Sequence, residues 1–142
     1  MSRSTAYAIG AVLQLANAPP GVPVPCSKLA KLGEMPERFL LQILRSLVNH
    51  GMLKSTRGVD GGYFLTRPAS EITMLHIFEA TDGPLTPSIP PLDSLPAASQ
   101  NKLLKLLSDI TAASCESLSR VTLLELSTMK TGGGPLEAPT LE

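Results

Sequence analysis

Apolar positions along the first half of the chain recur with helical spacing. Ala8, Ala11, Val12 and Leu15 fall at i, i+3, i+4 and i+7, which predicts a first helix over residues 2–17, stopped by Pro19-Pro20-Gly21. After a Pro-rich connector at 22–25, residues 27–32 predict a short second helix ended by Gly33. Pro36 suits a first helical position and Glu37 adds negative charge to that first turn, so a third helix is expected to run to His50, with Gly51 as its stop. Its buried stripe should be Leu40, Ile43, Leu44 and Leu47.

The period then shortens. Residues 52–56 and 63–67 predict two strands around Arg57-Gly58-Val59-Asp60-Gly61-Gly62, whose glycines permit a tight hairpin. A fourth helix is expected from Ile72-Thr73 through Thr81, with Thr73 as N-cap and an Ile72–Ile77 hydrophobic staple across it. The prolines of residues 83–96 predict an irregular loop, after which a long helix should span 97–120. Thr122-Leu123-Leu124-Glu125 matches a capping box and predicts a last short helix over 123–129; residues 131–142 read as a disordered tail. The expected division is therefore 1–82, a first domain; 83–96, a loop; 97–130, the long and final short helices; and 131–142, the tail.

Composition narrows the function. A chain of 142 residues with 43% hydrophobic side chains suits one domain with a modest core. No apolar run approaches the ~20 residues of a membrane span, and no secretory h-region opens the chain, so a cytoplasmic location is expected. Twelve basic and twelve acidic side chains cancel overall, but residues 1–67 carry eight basic and three acidic, and residues 68–142 four and nine. The basic half is a candidate for a polyanion partner. With three Phe, two Tyr and no Trp, an aromatic platform for single-stranded bases is disfavoured.

Helix, short helix, helix and hairpin is the order of a winged helix-turn-helix, giving a mainly α fold class with a two-stranded wing. On the third helix, opposite the apolar stripe, Arg38, Leu41, Arg45 and Val48 share a face, with Gln42 beside it. Arginine reaches phosphates or guanine N7/O6, Gln can pair with adenine, and a branched side chain can meet a thymine methyl. In the alternative reading, Leu41 and Val48 pack against a neighbouring element and both arginines are merely solvated. Arg57 at the turn, with Lys54 and Arg67 nearby and Gly61 and Gly62 allowing close backbone approach, makes the hairpin a candidate wing against double-stranded DNA, or else a bland surface hairpin.

Tyr7-Ala8, Phe39-Leu40-Leu41-Gln42-Ile43-Leu44-Arg45-Ser46-Leu47, the run from Gly51 to Leu65 with its Arg-Gly-x-x-Gly-Gly-Tyr turn, and Glu71-Ile72-Thr73 together resemble the Rrf-two family of bacterial winged helix-turn-helix transcription regulators (IscR-, NsrR- and CymR-like) over roughly residues 1–130. The resemblance implies a homodimer in which the long helix crosses its partner's copy, and a palindromic operator with half-sites ~10 base pairs apart or a multiple of that. It implies DNA-binding roles for Arg38, Gln42, Arg45, Arg57, Gly61 and Gly62, to which Leu41 and Lys54 are added by position. Relatives commonly carry Glu where this chain has Leu41, so their operator sequence does not transfer, since Leu cannot accept a hydrogen bond from cytosine.

Cluster-binding relatives also carry three cysteines in the loop before the long helix, whereas this chain has none there. Its two cysteines are Cys26 and Cys115, so the three-Cys cluster site is absent and no cofactor or metal is expected, although an iron–sulfur cluster held by Cys115 and His or Glu remains an alternative. Cys26, before Ser27 at a helix start and near Lys28, is a possible redox thiol with a lowered pKa, or else a small capping side chain; Cys115 is a possible redox partner across a dimer, or helix-packing filler. His50 and His76 lack neighbours at ligand spacing, and no nucleophile–base pair suggests an enzyme. The expected function is a dimeric, sequence-specific DNA-binding regulator, a repressor, with its effector open. The rival from another class is a winged helix used as a protein-interaction module, with Leu41 and Val48 as anchors.

Overall fold

The structure, a computed structural model, describes residues 1–87 and 93–129. The tail expected at 131–142 and part of the loop at 83–96 lie outside the described residues. In chain order the elements are α1 (Arg3–Asn17), α2 (Cys26–Leu32), α3 (Glu37–Asn49), β1 (Leu53–Thr56), β2 (Gly62–Leu65), a 3-10 turn (Ala69–Glu71), α4 (Met74–Asp82), α5 (Ala97–Arg120) and α6 (Leu123–Thr128).

α1 begins where the Ser2 hydroxyl accepts the Thr5 backbone N–H, and it buries Thr5, Ala8, Ala11, Val12 and Leu15. α3 buries the expected stripe of Leu40, Ile43, Leu44 and Leu47 against α1, α2 and α4. Helix bounds shift by a residue: α2 starts at Cys26, while Pro36 and His50 are caps of α3. Between α2 and α3 the chain reverses through Glu34 with φ 51°, and Met35 N–H donates to the Ala30 carbonyl at 2.8 Å. That reversal makes α2 and α3 a helix-turn-helix pair.

β1 and β2 pair antiparallel, with Leu53 opposite Leu65 and Thr56 opposite Gly62. The connector before α2 is more than a linker, because Val24 and Tyr63 exchange two backbone hydrogen bonds of 2.9 Å each and so hold the wing to the helix-turn-helix. This contact leaves no space for a side chain at Gly62, where a Cβ would lie 2.4 Å from the Val24 carbonyl carbon and oxygen.

Thr73 caps α4 as expected, with fully buried Ile72 and Ile77 on either side of it. The reciprocal partner is His76, whose Nδ1 accepts the Thr73 N–H at 3.1 Å, so this histidine is a structural cap. At the far end of α4 the Asp82 carboxylate accepts from the Ser2 hydroxyl (2.6 Å) and the Thr5 hydroxyl (2.9 Å), tying α4 to the start of α1. α6 returns to the same core: Leu123 is fully buried, its N–H donates to the Ile72 carbonyl (2.7 Å), and the Met74 N–H donates to the Val121 carbonyl (2.9 Å). Between them α5 runs 24 residues, about 36 Å at 1.5 Å per residue, packs on α4 and has no buried residue.

Two predictions follow from these ties. Hydrogen bonds from Ser2, opposed by some burial and joined by those from Thr5, hold the Asp82 carboxyl below its usual pKa. A depressed folded-state pKa contributes stability above the unfolded value near 3.9 and loses it as pH falls through the folded value. Asp82→Asn should therefore lower the melting temperature at pH 7 and flatten the decline in stability below about pH 4, as read by thermal melts across pH. Gly62→Ala should destabilise the chain by on the order of 1–3 kcal/mol and expose the wing to limited proteolysis, whereas Gly58→Ala, which meets open space despite its φ of +107°, should leave the wing attached.

Candidate nucleic-acid interface

The amphipathic pattern of α3 sends its apolar stripe into the core and leaves Arg38, Gln42 and Arg45 exposed. Among the described residues no other element covers these three side chains. Leu41 is half-buried, and Val48, expected on the open face, is half-buried against the core. Val48 lies one turn after buried Leu44, at the border between the apolar stripe and the face that carries Arg45, and it turns toward the core.

Because the Val24–Tyr63 bridge draws β2 toward α2 and α3, the wing stands beside α3. A groove of about 330 Å3 runs between them, with Arg45, Val48 and Asn49 from α3 and Ser55, Thr56, Arg57, Gly62 and Tyr63 from the wing. Arg45 and Arg57 are thus brought to one groove from opposite walls. Gln42 faces the other flank, in a cleft of about 160 Å3 shared with Ser4, Phe39, Ser46 and Thr81. Phe39 also stacks edge-on to Tyr7, with ring centroids 5.8 Å apart, which fixes the start of α3 against α1. Lys54 is exposed on β1 outside the groove lining, and Val59 projects fully from the wing tip.

Gly61 and Gly62 both have intramolecular reasons to be glycine. A Cβ at Gly61 would lie 2.4 Å from the Thr56 carbonyl oxygen, so the hairpin's own closure excludes one, as the Val24 contact does at Gly62. Asn49 and Tyr63 are groove residues that the sequence reading did not single out. Asn49 stands one turn after Arg45, a spacing that could have revealed it; Tyr63 depends on the bridge to Val24, which no local pattern announces.

The electrostatics favour an anion. Both ion pairs among the described residues, Lys105–Asp109 at 3.2 Å and Arg120–Glu116, lie on α5. None of the eight basic side chains in residues 1–67 has an acidic partner among the described residues, so their charge is not cancelled by an ion pair, and the exposed ones, Arg38, Arg45, Lys54 and Arg57 among them, are available to an incoming polyanion.

Of the two readings of Cys26, its surroundings oppose the lowered thiol pKa and agree with a small, half-buried side chain at a helix start. Cys26 is the first residue of α2 and half-buried, with Sγ 3.8 Å from the Glu37 carbonyl oxygen. Burial, and then the negative Glu37, push its thiol pKa up rather than down. The same neighbourhood raises the Tyr63 phenol, through burial first and Cys26 second, against the opposing pull of Arg45. Cys115 is half-buried on α5, far along the chain from Cys26, and among the described residues no three His, Cys, Asp or Glu side chains gather as a metal site. With two thiols in the whole chain, one on α2 and one on α5, the donor set does not fit a three-thiolate iron–sulfur cluster.

Comparison with known proteins agrees with this geometry. The Rrf2 family model, described as iron-dependent transcriptional regulator, matches residues 1–128. A Mycobacterium tuberculosis protein named as an HTH-type transcriptional regulator, Rv1287, is 40% identical over 85 residues, covering 60% of this chain and 53% of that one. The HTH-type transcriptional regulator CymR of Bacillus subtilis is 31% identical over 81 residues, covering 57% of this chain and 59% of that one. The chain spans about half the length of the curated relatives it matches. A solved structure of Bacillus subtilis CymR, titled the global cysteine regulator, superposes with TM-score 0.71 at 27% identity over 89% of this chain and 95% of that chain. The T. potens IscR structure shares the fold with TM-score 0.68 at 23% identity, over 93% of each chain. These relatives are regulators of transcription rather than enzymes, and this mainly helical winged-helix chain belongs to the Rrf2 family.

Proposed function

We propose that this protein is a homodimeric transcription repressor that binds a palindromic double-stranded DNA operator through α3 and the wing. The observation that carries this reading is the placement of Arg45 and Arg57 on facing walls of one groove with no acidic partner among the described residues. In this reading Arg45, with Arg38, Leu41, Gln42 and Asn49, meets base edges and flanking phosphates in the major groove. Arg57 and Lys54 of the wing meet the adjacent backbone or minor groove.

The second copy is supported by α5. A 24-residue helix with no buried residue leaves Leu103, Leu106 and Ile110 37%, 53% and 53% exposed, an apolar line that a symmetric partner would cover. Two reading heads related by that axis would take half-sites spaced by whole turns of duplex, ~10 base pairs or a multiple. Among the described residues no helix is long and apolar enough to cross a membrane, and a cytoplasmic site of action suits a DNA partner. No cofactor enters the mechanism: the chain's own arginines supply the charge, and α3 supplies the shape.

In gel shifts or fluorescence anisotropy with DNA from the chain's own upstream region, affinity should fall steeply with added salt, because phosphate neutralisation releases counterions. Arg57→Ala should weaken operator and unrelated DNA alike. Arg45→Ala or Gln42→Ala should mainly lower discrimination between them, by about 1–3 kcal/mol per lost base contact. Unchanged binding by all three variants, or a monomer in sedimentation at the DNA-binding concentration, would remove this surface from consideration.

A separate prediction concerns the thiol. In a Cys115→Ser background, Cys26 should react slowly with iodoacetamide at pH 7.5, its rate climbing with pH and reaching half its plateau above the usual thiol range of about pH 8.5. Cys26→Ser should leave DNA affinity within about twofold, since no charge is lost at neutral pH. Half-maximal alkylation below that range would restore a redox role for this residue.

A further inference from the structure

Behind the wing, a cavity of about 420 Å3 opens between the C-terminal end of α1 and β2, sharing no lining residue with the DNA-facing groove. Leu15, Ala18 and Pro20 stand on one wall and Phe64 and Leu65 on the other, with Arg67 also in the lining. The volume lies in the ~300–1,000 Å3 range of small-molecule sites, and such sites combine apolar walls with a few placed polar groups.

Arg67 is the charged residue of this lining, and its Nε is shielded from solvent with no hydrogen-bond acceptor among the described residues. A buried N–H without an acceptor is costly, and a guanidinium is charged at all physiological pH values. With Nε closed off, the two Nη groups of the guanidinium are the donors that can meet a carboxylate two bonds at a time. A hydrated inorganic anion would leave the apolar walls unmatched, and a neutral hydrocarbon would leave these donors unmatched. We propose that this cavity binds an amphipathic organic carboxylate, its apolar body between α1 and β2 and its carboxylate on the Arg67 guanidinium.

The site's position gives its occupant a bearing on the wing. Phe64 and Leu65 belong to the strand that carries Gly62 and Tyr63, and Ala18 and Pro20 precede the Val24 segment bonded to Tyr63. The proposal stands on the cavity alone and is tested without DNA, so its failure would leave the DNA-binding reading intact.

The test is an amide NMR titration of the full chain with indole-3-acetate, 4-phenylbutyrate and octanoate, with tryptamine as a control that keeps the indole body and inverts the charge. At least one carboxylate should give saturable shifts at Ala18, Phe64, Leu65 and Arg67, and tryptamine should give none. Arg67→Gln should weaken that binding at least about tenfold, as expected for loss of a charge-assisted pair, and Arg67→Lys should weaken it less. Ala18→Leu, which narrows the cavity and leaves the charge, should also weaken it, with amide dispersion confirming the fold of each variant. The proposal is overturned if no carboxylate shifts these amides at millimolar concentration, if tryptamine shifts them equally, or if folded Arg67→Gln or Ala18→Leu binds like the parent chain.

Discussion

The bridge between Val24 and Tyr63 decides where everything else on the reading face stands. A two-stranded hairpin is marginal by itself in water, and its orientation needs a third partner. Here the connector before α2 supplies one through two 2.9 Å backbone hydrogen bonds, and Gly62 permits the approach by having no side chain. The hairpin thereby becomes an edge of the helix-turn-helix, and Arg57 reaches the groove lined by Arg45. A winged-helix interface is thus a consequence of one close backbone contact as much as of its basic residues.

A second set of ties closes the opposite end of the module. Asp82, last residue of α4, gathers the hydroxyls of Ser2 and Thr5 at the start of α1, where a negative charge also complements the helix dipole. Thr5 is fully buried, so its hydroxyl needs these partners, Asp82 and Thr81, to avoid an unsatisfied group in the core. The first and fourth helices are consequently fixed to one another on both sides of α3. The reading helix is held in a rigid frame, and Gln42 sits in the cleft where that frame meets α3.

What the sequence made legible was whatever one element decides for itself. The apolar stripe of α3, the Thr73 cap and the bounds of α5 follow from periodicity and capping chemistry within a few residues, and the structure has them. What it hid are pairings between residues distant in the chain: Val24 with Tyr63, Ser2 with Asp82, Leu123 with Ile72. The outward placement of Val48 failed because the residue sits at the border of the apolar stripe, one turn after Leu44, and packs partly against the core. Cys26 is the instructive case at the site. A helix start and Lys28 argued for a thiolate, but burial and Glu37, brought close by the fold, outweigh them. His76 likewise looked isolated because its partner, the Thr73 backbone, is invisible in a search for side-chain neighbours.

The long helix is where fold and proposed function meet. α5 has no buried residue, yet it is not a free arm: its C-terminal end runs directly into Val121, Thr122 and Leu123, which are hydrogen-bonded to Ile72 and Met74 and anchored in the core shared with α1. Its inner side rests on α4, whose own end is tied to α1. The direction of α5 is therefore referred, through two hydrogen bonds and one fully buried leucine, to the frame that holds α3. In a dimer built on α5 the two-fold axis would inherit that direction, and the separation of the two reading helices would follow from it. Half-site spacing would then be a property of the α6 anchor, although α6 contributes no residue to the groove between α3 and the wing.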